Sequence, residues 1–184
     1  MKSHLKNLAL VLLVSTFAIV GCQEAPSPVA PVDNLAVQDI NTPPPGVKFI
    51  KLSYPIRLSK ETVSSCVTLN PNLGGIIGGE ETYGNFAYLP PRSFEKRTDF
   101  CLTVSDVPGF TACDYSPSMK FRRPVELTFD LSDTEFTEEE IESLKIYYWN
   151  EEKNEWEIVN GKYTYDDETI TVMVKHFSRY AWAN

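Results

Sequence analysis

The chain has 184 residues, 42% hydrophobic and 12% aromatic, enough for one ordinary domain with a sizeable core. Its net charge is −8; Lys2 and Lys6 are the charged residues of the first 21, so the remainder holds 15 basic against 25 acidic side chains, a net −10. That balance argues against nucleic acid as a partner and against adhesion to anionic lipid through a basic patch.

The N-terminus reads as a secretory signal. Lys2 and Lys6 precede an apolar stretch, Leu8 to Val20, broken only by Ser15 and Thr16. A membrane-spanning helix needs about 20 apolar residues, and this stretch is shorter. It closes on Ile19-Val20-Gly21-Cys22, which resembles the bacterial lipoprotein lipobox. That resemblance implies cleavage before Cys22 and diacylation of its sulfur, with palmitate-type chains forming a stable tether. Gln23 follows where an Asp would resemble an inner-membrane retention signal, so the expected location is the cell envelope, with the outer membrane favoured if there are two.

With Cys22 acylated, Cys66, Cys101 and Cys113 remain. One disulfide plus one buried thiol is the simplest arrangement in an oxidising compartment. Cys101 and Cys113 flank Pro108-Gly109 and are the favoured pair; three buried thiols are the alternative. No zinc site is expected, because C-x-x-C is absent and His176 is the one histidine beyond residue 21. Neither a metal nor a cofactor is expected.

Residues 22–46 hold Pro26, Pro28, Pro31 and Pro43-Pro44-Pro45, and read as an extended linker. From residue 47 to 184 the pattern is a single all-β domain, a β-sandwich of short strands separated by Gly, Pro, Asn and Asp. Strands are expected over Val47–Ser53, Thr62–Leu69, Gly74–Gly79, Asn85–Leu89 and Thr98–Val104. Another covers Val125–Leu131, with Val125, Leu127, Phe129 and Leu131 on one face. Ser132-Asp133 then lead to one short helix, with Thr137 as N-cap and Glu140 at the third helical position. Consecutive acids on a helix point apart, so this run does not read as a metal site. The C-terminal third reads as a β-meander: Lys145–Trp149, Trp156–Val159, Lys162–Tyr165, Thr169–Val174 and Arg179–Ala183. The acidic turn Asp166-Asp167-Glu168 lacks the spacing of a calcium loop and reads as a solvated hairpin tip.

Four segments carry a further likeness: Gly74-Gly75-Ile76-Ile77, Leu89-Pro90-Pro91-Arg92-Ser93-Phe94, Phe121-Arg122-Arg123-Pro124-Val125-Glu126-Leu127 and His176-Phe177-Ser178-Arg179-Tyr180-Ala181. Their order resembles the ZU-five domain, the β-sandwich module of ankyrins, netrin receptors and zonula occludens scaffolds. Arg92-Ser93 stand where that family commonly has Gly-Ala. The resemblance implies a module for protein interaction or scaffolding and not an enzyme. It also implies one chemical option, because His176-Phe177-Ser178 resembles the self-cleavage motif of some relatives. There Ser178 Oγ would attack the Phe177 carbonyl with His176 taking the proton. The plainer reading has His176 and Ser178 hydrogen-bonded at the head of the last strand while Tyr180 and Trp182 pack. Gly-x-Ser-x-Gly, phosphate-loop and HExxH signatures are absent. The expected partners are the membrane through Cys22 and an envelope protein or a glycan; the aromatics that would suit a glycan surface are expected in the core.

Overall fold

The computed structural model describes residues 38–51, 62–107, 109–132, 136–166 and 168–184, with Glu138 described by its backbone alone. The signal segment, Cys22, the linker up to residue 37, Leu52-Ser53, Pro108, Asp133 and Asp167 lie outside the described residues. Eleven strands are described: β1 Thr62–Leu69, β2 Gly75–Gly78, β3 Phe86–Leu89, β4 Thr98–Val107, β5 Phe110–Ser116, β6 Lys120–Asp130, β7 Lys145–Asn150, β8 Glu155–Ile158, β9 Tyr163–Asp166, β10 Thr169–His176 and β11 Arg179–Ala183. A 3-10 turn covers Glu80–Thr82, and one short helix, α1, covers Glu138–Ser143.

The strands form two antiparallel sheets, β1-β4-β5-β11-β7-β8 and β2-β3-β6-β10-β9, packed as an all-β sandwich. Their facing sides supply the main core. Val125, Leu127, Phe129 and Leu131 alternate into it with exposures of 2% or less, as the period-two pattern requires. Phe100, Leu102 and Val104 of β4 and Tyr180 and Trp182 of β11 meet them from the other sheet. The short helix forms as expected: Thr137 Oγ1 accepts from Glu140 N, and Thr137 N donates to Glu140 Oε2 at 2.8 Å. These hydrogen bonds hold the Glu140 carboxyl below its ordinary pKa.

Three expectations are corrected. The C-terminal third is not one meander: the β7–β8 hairpin joins the six-stranded sheet, the β9–β10 hairpin joins the five-stranded one, and β11 returns to pair with β5 and β7. The disulfide is Cys66–Cys101, with Cys113 free and buried, in place of Cys101–Cys113. Register explains this. Cys66 stands directly opposite Cys101, so their side chains share a face. Cys113 stands opposite Val104, on the core face, whereas Cys101 points outward. Burial and the neighbouring Asp114 push the Cys113 thiol well above its ordinary pKa.

Third, the folded domain begins before residue 47. Gln38 Oε1 accepts from Trp156 N at 3.2 Å, and Arg179 Nη1 donates to Asn41 Oδ1 at 2.9 Å. The chain then enters the six-stranded sheet between β5 and β11, where Ile50 turns into the main core and Phe49 turns to the outer face. Phe49 pairs with Ala183, Ile50 N donates to Trp182 O, and Thr111 N donates to Ile50 O. The Phe49 ring meets Phe110, Tyr147 and Trp156 at centroid distances of 5.0, 5.4 and 4.8 Å. A second apolar cluster results, outside the sandwich, from Phe49, Val107, Phe110, Ala112, Trp149 and Trp156 among others.

Two backbone positions bear on the sequence motifs. Gly74 has φ 65°, and a Cβ there would stand 2.2 Å from Leu89 O, so the Gly-Gly that opens β2 is required by close backbone approach. Arg92 also has φ 65°, the left-handed region glycine occupies most readily, at the position where the ZU-five pattern commonly has Gly.

Candidate functional site

The His176-Phe177-Ser178 segment carries the chain from the end of β10 in one sheet to the start of β11 in the other. It borders a cleft of about 540 Å³ at this end of the sandwich, lined also by Ser118–Phe121 and Tyr148–Glu152. Its three side chains go to three different places. Phe177 fills the core, edge-on to Phe121 and Phe100 at 4.7 and 5.7 Å. Ser178 is buried, and its hydroxyl donates to Trp149 O at 2.5 Å. His176 is half-buried, edge-on to the Tyr148 ring at 4.5 Å.

Self-cleavage would need the Ser178 proton directed at His176. Here it is directed at the Trp149 carbonyl, while the buried His176 Nε2 has no hydrogen-bond partner. The expectation that residues 176 and 178 face one side assumed a continuous strand. Pairing ends at His176 and resumes at Arg179, so strand parity does not govern the two residues between. The Phe177 carbonyl accepts from Ser118 Oγ at 3.3 Å, and Phe177 N donates to Met119 O at 2.9 Å. Tyr180 OH donates to His176 O at 2.7 Å. These bonds secure the crossing between sheets.

Charge around the cleft is organised through residues that the sequence motifs did not mark. The Tyr148 hydroxyl donates to the Glu157 carboxylate, which also accepts from Lys153 Nζ. Burial, then Glu157, push the Tyr148 phenol up to about 12, while Lys153 and Tyr148 hold Glu157 below its ordinary range. Burial first, and Lys120 second, lower the His176 pKa; Glu157 and Glu151 oppose them. Lys120 itself pairs with Glu152 at 3.1 Å. Tyr148 and Glu157, both on the β7–β8 hairpin, precede His176 by 28 and 19 residues, so no local spacing could have joined them to it. Among the described residues no group of His, Cys, Asp and Glu is placed to hold a metal ion.

A second surface stands out on the outer face of the five-stranded sheet. Ile76 pairs with Tyr88, Tyr88 with Glu126, and Glu126 with Met173, so the four side chains form one row across β2, β3, β6 and β10. Ile76, Tyr88 and Met173 are 57%, 41% and 49% exposed.

The fold and these surfaces define an all-β sandwich protein. No protein-family profile matches the chain. It is 32% identical over 80 residues, 44% of its length, to an amylopullulanase of Thermoanaerobacterium thermosulfurigenes. It is 27% identical over 112 residues, 51% of its length, to a putative membrane protein of Evansella cellulosilytica. The matches span only 4% and 16% of those two proteins. No helix among the described residues is long and apolar enough to cross a membrane.

Proposed function

We propose that this chain is an envelope lipoprotein, anchored through Cys22, whose ZU-five-like β-sandwich is a non-catalytic module for binding or scaffolding. The observation that carries the non-catalytic reading is the Ser178 hydroxyl, committed to Trp149 O and buried beside a histidine it does not touch. The exposed row Ile76–Tyr88–Met173 supports binding, because apolar side chains grouped on a sheet face are a usual mark of an interaction surface. The partial match to a putative membrane protein is compatible with envelope association. Intact-mass measurement of protein extracted from membranes tests both parts. We expect loss of residues 1–21, the added mass of a diacylglyceryl group, and a C-terminus retained through Asn184. A lipid-free chain would sink the anchor; loss of Ser178–Asn184, abolished by Ser178→Ala, would sink the non-catalytic reading.

A glycan ligand is the second reading, favoured by the stretch shared with an amylopullulanase and by exposed Tyr88, whose ring offers a flat apolar surface to a sugar. Retention on insoluble starch or pullulan, lost in Tyr88→Ala, would support it over a protein partner.

A further inference from the structure

We infer that the end of the sandwich carrying the β3–β4 loop and the start of β6 docks on an anionic lipid surface. The net charge of the whole chain hides a strong local segregation. Residues 90–99 and 120–123 hold Arg92, Lys96, Arg97, Lys120, Arg122 and Arg123 against Glu95 and Asp99. The fold gathers them. Arg92 N donates to Pro71 O, Arg122 N to Ser93 O and Arg123 Nη1 to Pro91 O, fastening the β1–β2 loop, the β3–β4 loop and β6 to one another. Arg92, Lys96, Arg97, Arg122 and Arg123 are exposed, and Glu95 engages only Arg122, at 2.5 Å. Beside them, the β1–β2 loop carries Leu73, 75% exposed. An apolar side chain among cations suits the boundary between headgroups and acyl chains.

The opposite end is acidic. Glu80 and Glu81 lie on the β2–β3 connection, Glu139 and Glu142 on α1, and Asp166 and Glu168 at the β9–β10 turn; Lys51 and Lys145 offset them in part. The cations thus gather on the β1 side of one end, with acids at the other end of the strands. Acids share the cationic end too: Glu151, Glu152 and Glu155 on the β7–β8 hairpin, at the edge of the six-stranded sheet remote from β1, and Asp39 on the entering chain; of these, Glu152 reaches the cationic patch, at Lys120, 3.1 Å away.

The chain also joins the domain at the positive end. Gln38 Oε1 accepts from Trp156 N in β8, so the chain enters on the β7–β8 side of that end, and Asn41 bonds Arg179 at the head of β11. Only residues 23–37 separate Cys22 from Gln38, an extended reach of about 50 Å. A lipid-tethered domain is held near the surface at high local concentration, so a weak charge contact is enough to set its orientation. The tether rests on the proposed reading of Cys22; the charge pattern does not.

The test uses the full-length protein mixed with vesicles of phosphatidylcholine alone or with added phosphatidylglycerol, read by flotation and amide hydrogen exchange. We expect slowed exchange at residues 71–73, 92–97 and 120–123 only with phosphatidylglycerol. It should disappear as salt rises from 0.1 to 1 M, when the screening length falls from about 10 Å to about 3 Å. Lys96→Gln with Arg97→Gln should lower the docked-to-free ratio about fivefold per cation removed, with an unchanged melting temperature. Equal exchange on both vesicle types, or protection centred on residues 80–81 and 139–142, would overturn the inference. A chain lacking lipid on Cys22 would fail to float with phosphatidylcholine, while an excess of anionic vesicles would still slow exchange at residues 92–97 in a salt-sensitive way, so the two readings fail separately.

Discussion

The two outer faces of the sandwich carry similar apolar side chains and meet different fates. On the six-stranded sheet, Val107, Phe110, Ala112, Trp149 and Trp156 are covered by the chain's own residues 38–51, and Phe49 is 3% exposed beneath them. On the five-stranded sheet, Ile76, Tyr88 and Met173 stand in a row with nothing from the described residues over them. One face has become a second core, and its residues contribute to stability. The other leaves apolar surface in water, which makes no such contribution and suits a partner.

The largest effect expected from this contrast is at Phe49. Phe49→Ala removes the ring that three aromatics pack around, and urea unfolding should show a loss of roughly 3 kcal/mol. A change below about 0.5 kcal/mol would mean the strap is an ornament on the sheet. Ser178→Ala comes next: it leaves the Trp149 carbonyl without its hydroxyl donor, for a loss of about 1–3 kcal/mol by the same measurement. A protein as stable as the parent would contradict the structural role of that hydroxyl.

Acid sensitivity should be smaller and confined to one window. The folded-state pKa of His176 lies below the ordinary value near 6.5, so the unfolded chain takes up that proton first. Its contribution is present above about pH 6.5 and is lost as pH falls through the folded-state value. The groups that face it are Lys120, Glu151 and Glu157, with Tyr148 against its ring. Denaturation midpoints measured from pH 7 to 5 should fall in the parent and flatten in His176→Gln; identical slopes would assign the effect elsewhere. The smallest effect belongs to the bare face. Ile76→Ser together with Met173→Ser should change stability by no more than about 0.5 kcal/mol, and a larger loss would show that this face is structural too.

Much of this was legible in the sequence where one face of a strand is wet. Val125–Leu131 alternates cleanly, Thr62–Leu69 coincides with β1, and the Thr137/Glu140 capping box forms; Arg179–Ala183 coincides with β11 although both of its faces are buried. The strand β5 carried no such signal. Phe110, Thr111, Ala112, Cys113 and Tyr115 are all buried, because the strap covers one side and the core the other, and alternation vanishes when both faces are dry. The disulfide followed from that gap: without β5 in register, nothing shows that Cys101 and Cys113 face opposite ways. The prolines at 43–45 suggested a free linker, and they lie in a segment that packs on the domain. At the candidate site, His176, Phe177 and Ser178 were visible as a motif, but the Trp149 carbonyl and Glu157 reach them only through the sheet. The cationic end was masked by a net charge of the opposite sign.

The contrast between the two faces is tested most directly by native-state hydrogen exchange at the amides of Ile50 and Thr111, which donate to Trp182 O and Ile50 O. If the strap belongs to the cooperative fold, both should exchange only through global unfolding, with the same denaturant dependence as Leu127 and Phe129 in β6. Exchange orders of magnitude faster, while β6 stays protected, would show that the strap lifts off on its own and that neither outer face is part of the core.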